Sequence, residues 1–194
     1  AMYRENLLRK KQEAAFADYG QYLRSLDMKA EIGSYSPEYM ARIAQLTNKS
    51  NQFNLTTKRF TQAELEQCAA DQDYLDLYGR LTDRFGDNGV VSVILGRKEE
   101  RILHIELWLM SCRVLKRDME KAMLDELVIR SKRMGISVIR GYYIPTAKNQ
   151  MVKDFYGTMG FRLIEEREDK STVWELETET YRPCCSVIEI RQMK

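Results

Sequence analysis

Histidine is almost missing from these 194 residues, His104 standing alone, and this removes the usual ligand sets of a zinc centre and any second imidazole for nucleophile–base chemistry. The four cysteines, Cys68, Cys112, Cys184 and Cys185, show no CxxC pairing, so neither a metal site nor a disulfide framework is expected. No window holds the roughly 18 apolar residues of a membrane helix, and no signal peptide is visible. A cytoplasmic, reduced protein without a membrane partner is the expectation. A net charge of +2 is too small to argue for nucleic acid. What remains is ordinary: 44% hydrophobic and 31% charged residues suit one large domain, or one domain plus an arm, with a real core. No repeat or low-complexity segment interrupts it.

From Tyr3 to about Leu26, apolar residues such as Leu7, Leu8, Tyr19, Tyr22 and Leu23 recur at helical spacing between charged ones, predicting an amphipathic helical arm over residues 1–27. Ala1-Met2 reads as an expression remnant. The domain proper is residues 28–194. Met28–Ser34 is a candidate first strand, and Ser36-Pro37-Glu38 opens a helix to about Ser50, with proline at the first helical position. Thr61-x-x-Glu64 is a capping box for a short helix to about Ala70. Asp73–Arg84 and Val90–Leu95 read as strands joined at Asp87-Asn88-Gly89, because Asn-Gly accepts the positive φ of a tight hairpin. Arg101–Met110 is a buried strand. A helix from Asp118 stops at Gly135, and Ser137–Ile144 must lie parallel to the preceding strand because a helix intervenes. A helix from Pro145 to Gly160, a hairpin of Phe161–Arg167 and Ser171–Glu177, and strand-like Ser186–Ile190 complete an α/β fold with a mixed (α+β) sheet.

The chain centres on the turn Ser111–Glu120, where the apolar run Ile102–Met110 ends and a helix begins with Asp118 as its N-cap. Helix-start N–H groups are unpaired and lie at the positive end of the dipole, so this is the natural place for an anion. The order of parts resembles the GNAT (acyl-CoA N-acyltransferase) superfamily, in which such a turn holds the pyrophosphate of coenzyme A and a later helix carries Asn and Tyr before Gly-Phe. Asn149, Tyr156, Gly160 and Phe161 match. More narrowly, Gln45-Leu46-Thr47-Asn48-Lys49-Ser50-Asn51-Gln52-Phe53-Asn54-Leu55-Thr56-Thr57, Phe85-Gly86-Asp87-Asn88-Gly89 and Met110-Ser111-Cys112-Arg113-Val114-Leu115 are similar to the C-terminal region of FkbH-like proteins, over nearly all the chain after Met28. That resemblance implies an upstream haloacid-dehalogenase (HAD) phosphatase-type domain, and the loading of a glyceryl unit onto an acyl carrier protein in polyketide biosynthesis. The phosphatase signature Asp-x-Asp-x-Thr appears nowhere, so the chain reads as the second domain without its catalytic neighbour.

The GNAT turn pattern, Gln/Arg-x-x-Gly-x-Gly/Ala, falls on Leu115–Glu120, where neither glycine is present. Asp118 and Glu120 stand there instead. At an effective dielectric of about 20, one carboxylate ~4 Å from a phosphate charge costs roughly 4 kcal/mol before screening. Ser111, Cys112, Arg113, Lys116 and Arg117, with Lys121, are the groups left to hold a phosphate, or else form a solvated basic face. By the resemblance, Asn149 lies near the pantetheine arm and Tyr156 protonates the leaving thiolate; Tyr156 also suits core packing with a wet hydroxyl. Alternation along a strand puts Glu106 on one face with His104 and Trp108, as a general base or as a paired strand carboxylate. Asn51, Gln52, Asn54 and Thr56 line an acceptor pocket or satisfy loop backbone.

Two functions stay open on this reading. One is an accessory module docking an acyl carrier protein or its phosphopantetheine arm; the other is an acyltransferase with an acyl thioester donor. Coenzyme A is expected to bind weakly in either case.

Overall fold

The computed structural model describes residues 2–193; Ala1, half of the expected expression remnant, lies outside the described residues. The arm is two helices and not one, α1 (Met2–Glu13) and α2 (Tyr19–Ser25). Asp18 divides them, its carboxylate accepting from the backbone N–H of Gly20 and Gln21 as an N-cap, an arrangement it could not make from inside a helix. The buried side chain of α1 is Arg9. Its guanidinium donates to Asp83 at 2.8 and 2.9 Å, while Met2, Tyr3, Leu7 and Leu8 remain exposed.

Beyond the arm come β1 (Met28–Gly33), α3 (Pro37–Lys49), α4 (Gln62–Ala70), β2 (Tyr74–Asp83), β3 (Gly86–Glu99), β4 (Ile102–Met110), α5 (Met119–Arg133), β5 (Val138–Tyr143), α6 (Phe155–Thr158), β6 (Arg162–Glu166), β7 (Thr172–Glu177) and β8 (Ile188–Gln192). They build one sheet in the order β6-β7-β5-β4-β3-β2-β1-β8. β1 to β4 are antiparallel neighbours, β5 runs parallel to β4 after the α5 crossover, and β7 inserts between β5 and β6. One face of the sheet buries Leu77, Ile94, Ile105 and Trp108 against Met119, Met123 and Leu127 of α5. The other buries Val93, Leu95, Leu107 and Leu109 against Met40, Ile43 and Leu46 of α3.

Three local expectations change. The β2–β3 turn is Arg84-Phe85, flanked by the Asp83–Gly86 pair, because Asp83 accepts the Phe85 N–H and closes the turn early; Asn88-Gly89, with Gly89 at φ +68°, is absorbed into a bulged register. The helix expected from Pro145 reduces to a 3₁₀ turn at Gln150–Val152 and the four-residue α6. Asp118 occupies the N-cap position of α5 in the left-handed region (φ 63°), yet its carboxylate caps nothing and pairs with Lys121 at 3.1 Å.

The same face expected for His104, Glu106 and Trp108 does not survive either. Leu95 faces Leu107 while Gly96 faces Ile105, so Glu106 is an extra residue in β4, a β-bulge. Strand alternation slips by one at this point, sending Trp108 to the α5 face together with Ile105.

Candidate functional site

The Glu106 bulge bends β4 away from β5. Parallel pairing holds from Ile102–Val138 to His104–Arg140 and then stops, leaving a notch between the two strands. The chain fills the notch itself. Leu55 N–H donates to Trp108 O at 3.1 Å, Met110 N–H to Phe53 O at 3.0 Å and Ile144 N–H to Leu55 O at 2.9 Å, so Phe53–Leu55 bridges the parted strands like a short extra strand. Side chains fix the segment. Thr56 Oγ1 donates to Glu106 O at 2.7 Å, Asn54 Nδ2 donates to Ser50 O and Asn54 Oδ1 accepts from Thr57 N–H. Asn149, fully buried, donates through Nδ2 to Asn54 O (3.0 Å) and Ile144 O (2.9 Å), and accepts the Thr146 N–H through Oδ1 at 2.7 Å. Asn54 and Thr56, open in the sequence between pocket lining and backbone satisfaction, both satisfy backbone and fasten this plug, Thr56 also lining the cavity beneath it, while Asn149, expected near a pantetheine arm, is a third fastener. Asn51 and Gln52 do face a cleft, described below.

Below the plug a cavity of about 240 Å³ remains, lined by Glu106, His104, Tyr142, Arg97, Lys58 and Arg167 among others. His104 Nδ1 lies 2.7 Å from Tyr142 Oη, and the rings stack with centroids 6.0 Å apart. Burial, then the charge of Arg140, holds the His104 pKa below its ordinary value, so the imidazole is neutral at physiological pH. Glu106 meets Arg97 at 3.4 Å. The sequence reading missed Arg97, Tyr142, Lys58 and Arg167, because only the β4 bulge and the β6–β7 hairpin bring them together; the alternation of β5 was the one signal that could have found Tyr142.

The expected anion turn has been reassigned piece by piece. Arg117 is buried, its guanidinium donating to Asp83 Oδ2 at 3.1 Å and to Arg113 O at 2.9 Å, so it joins Arg9 on one buried carboxylate. Lys116 adopts a left-handed backbone, and its carbonyl accepts Tyr19 Oη of the arm at 2.6 Å. Ser111 caps a 3₁₀ turn at Cys112–Val114. Glu120 Oε2 is buried at the start of α5 without a hydrogen-bond partner, and burial raises its pKa. On the opposite side of Phe53 opens a cleft of about 780 Å³ that collects Asn51, Gln52, Ser111, Cys112 and Arg113 together with Arg42, Lys49 and Lys148.

No protein-family model matches this sequence, and no curated protein matches it. Solved structures do. The ribosomal-protein-S18-alanine N-acetyltransferase of Escherichia coli superimposes with TM-score 0.56 at 11% identity, over 77% of this chain and 94% of that one. An acetyltransferase of Thermus thermophilus gives 0.59 at 12% over 78% and 99%. The PaiA N-acetyltransferase of Thermoplasma acidophilum, solved with coenzyme A, gives 0.55 at 17% over 77% and 99%. The fold is that of the GNAT acetyltransferases.

In a GNAT fold the turn before α5 and the residues after β5 are where coenzyme A is sought, and the residues present here do not fit it. Glycine is absent from the turn, Asp118 and Glu120 bring carboxylates to its helix start, and the notch is closed by backbone. Tyr156 is fully buried beneath Gly141, edge-on to Trp108 and Phe155 and tilted against Phe161. Its hydroxyl lies near the Tyr142 backbone without a well-aligned hydrogen bond, and burial drives its pKa far above the phenol range. It lines none of the cavities described above, nor does it meet Glu106 in one. Cys112 is exposed, and Cys184 and Cys185 sit near Asp125, which accepts both of their backbone N–H groups.

Proposed function

We propose that this GNAT-fold domain is a binding module that docks an acyl carrier protein, or its phosphopantetheine arm, during loading of a glyceryl-type acyl unit, with the chemistry supplied by a haloacid-dehalogenase phosphatase-type domain. One observation carries the reading: Phe53–Thr56 occupies the β4 edge, so a thioester arm has no free strand to lie along. The helix start argues the same way: it has no glycine to let backbone approach a dianion closely, and Asp118 stands at its N-cap position. The basic cleft beside Arg113 suits an acidic partner, and its binding weakens as salt rises, because exposed charges are screened beyond roughly 10 Å at 0.1 M ionic strength.

The rival reading, an acyltransferase, is favoured by one feature: Glu106 lines a cavity where a general base has room to meet an acceptor. Carrier loading by the full-length protein decides between them. Glu106→Gln and Tyr156→Phe leave loading within a few-fold of normal if the domain only docks. A loss of roughly a hundredfold in Glu106→Gln, the lower end of general acid–base catalysis, with carrier binding intact, makes this domain the enzyme.

A further inference from the structure

Several cationic side chains of this protein are paired with carboxylates. Arg9 and Arg117 share Asp83, and Arg80 meets Asp87, Arg97 meets Glu106, Arg130 meets Glu126, Arg140 meets Glu175 and Lys121 meets Asp118. The cleft of about 780 Å³ between the α3 C-terminus, the end of β4 and the loop after β5 gathers four that are not. Arg42, Lys49, Arg113 and Lys148 line it, and no carboxylate does. Arg42 donates only to the Gln45 amide, and Arg113 only to Ser111 Oγ and Met2 Sδ. None of the four has an acidic partner among the described residues. Burial, and then the charge of Arg113, disfavours the Arg42 cation. Like charges gathered without a counter-ion destabilise a fold unless an anion joins them.

The floor has a different character. Phe53 and Met110 give the cleft an apolar base beneath the cationic rim, and a volume near 780 Å³ is within the range of small-ligand sites, about 300–1,000 Å³, and far beyond one phosphate. We infer that this cleft is a phosphate-ester site, in which Arg42, Lys49, Arg113 and Lys148 hold the phosphate and Phe53 and Met110 receive a tail. The anion position has moved off the acid-bearing start of α5 and across Phe53, which also lines the smaller cavity holding Glu120. The inference deepens the docking reading and rests on it only for the bearer of the phosphate.

The test uses 4′-phosphopantetheine against pantetheine by calorimetry, on the wild type and on the Arg42→Gln/Lys148→Gln variant. Lys148 is exposed and Arg42 half-buried, and circular dichroism checks that the double variant keeps its fold. Phosphopantetheine should bind saturably, with pantetheine about tenfold weaker or worse and the variant losing about tenfold or more, equivalent to roughly 1.4 kcal/mol. Absence of saturable phosphopantetheine binding, equal affinity for the two compounds, or equal affinity in the variant overturns the assignment. Titration with a holo carrier protein separates the two proposals. Carrier binding that the variant leaves untouched removes the cleft and keeps the docking, whereas phosphopantetheine binding that meets all three expectations, without carrier binding, keeps the cleft and removes the docking.

Discussion

Replacing Asn149 by alanine should release the plug. Its side chain makes three short hydrogen bonds from a fully buried position, two donated to Asn54 O and Ile144 O and one accepted from the Thr146 N–H, and accepts a long one from Tyr143 Oη at 3.5 Å. At about 1 kcal/mol net for each short bond, the variant loses roughly 3 kcal/mol, and more if the orphaned carbonyls stay dry. Asn54 O lies inside the inserted segment, so the loss falls on opening of the notch before it falls on global unfolding. Hydrogen exchange reads this directly. The Leu55 and Met110 amides, which bond to Trp108 O and Phe53 O, should exchange roughly a hundredfold faster, taking about 1.4 kcal/mol per tenfold. Amides of the β2–β3 ladder serve as the internal control. If Leu55 and Met110 keep their protection while the melting temperature falls, Asn149 supports the loop after β5 and does not hold the plug.

Three other outcomes are expected. Tyr156→Phe removes a buried hydroxyl without a good partner, so stability in urea should be unchanged or higher, by up to ~1 kcal/mol; a loss above that size shows a hydrogen bond that the geometry lacks. Burial raises the Glu120 pKa, so the folded state keeps a proton the unfolded state has released, and stability falls as pH climbs from the ordinary 4.5 through the raised value. Glu120→Gln should therefore match the wild type near pH ~4 and exceed it by about 1 kcal/mol near pH ~8; an advantage that does not grow with pH contradicts this. Asp83→Ala leaves Arg9 and Arg117 without their shared carboxylate, costing about 3 kcal/mol and freeing α1 to limited proteolysis, since Arg9 is the side chain α1 buries; an arm still protected in that variant refutes the latch.

The succession of elements along the chain and the α5 crossover were legible because they rest on periodicity and turn chemistry: the Thr61–Glu64 capping box, Pro37 at a helix start and Gly135 at φ +73° all sit where local rules put them. Glu106 was misread because a bulge leaves no mark on alternation; Ile105, Leu107 and Leu109 look like one face until a single extra residue divides them. Asn54 stayed open between pocket lining and backbone satisfaction, and Asn149 was read by resemblance alone, for a related reason. A buried amide satisfying backbone and an amide meeting a ligand have the same sequence, and only tertiary pairing tells them apart. Arg117 could not be distinguished from Arg113, since the carboxylate that claims it, Asp83, lies 34 positions away.

Calorimetric titration of the domain with coenzyme A tests the closed notch most directly. The account predicts binding no tighter than about millimolar, a total near 4 kcal/mol, while a holo carrier protein binds measurably under the same conditions. A low-micromolar coenzyme A isotherm would contradict it.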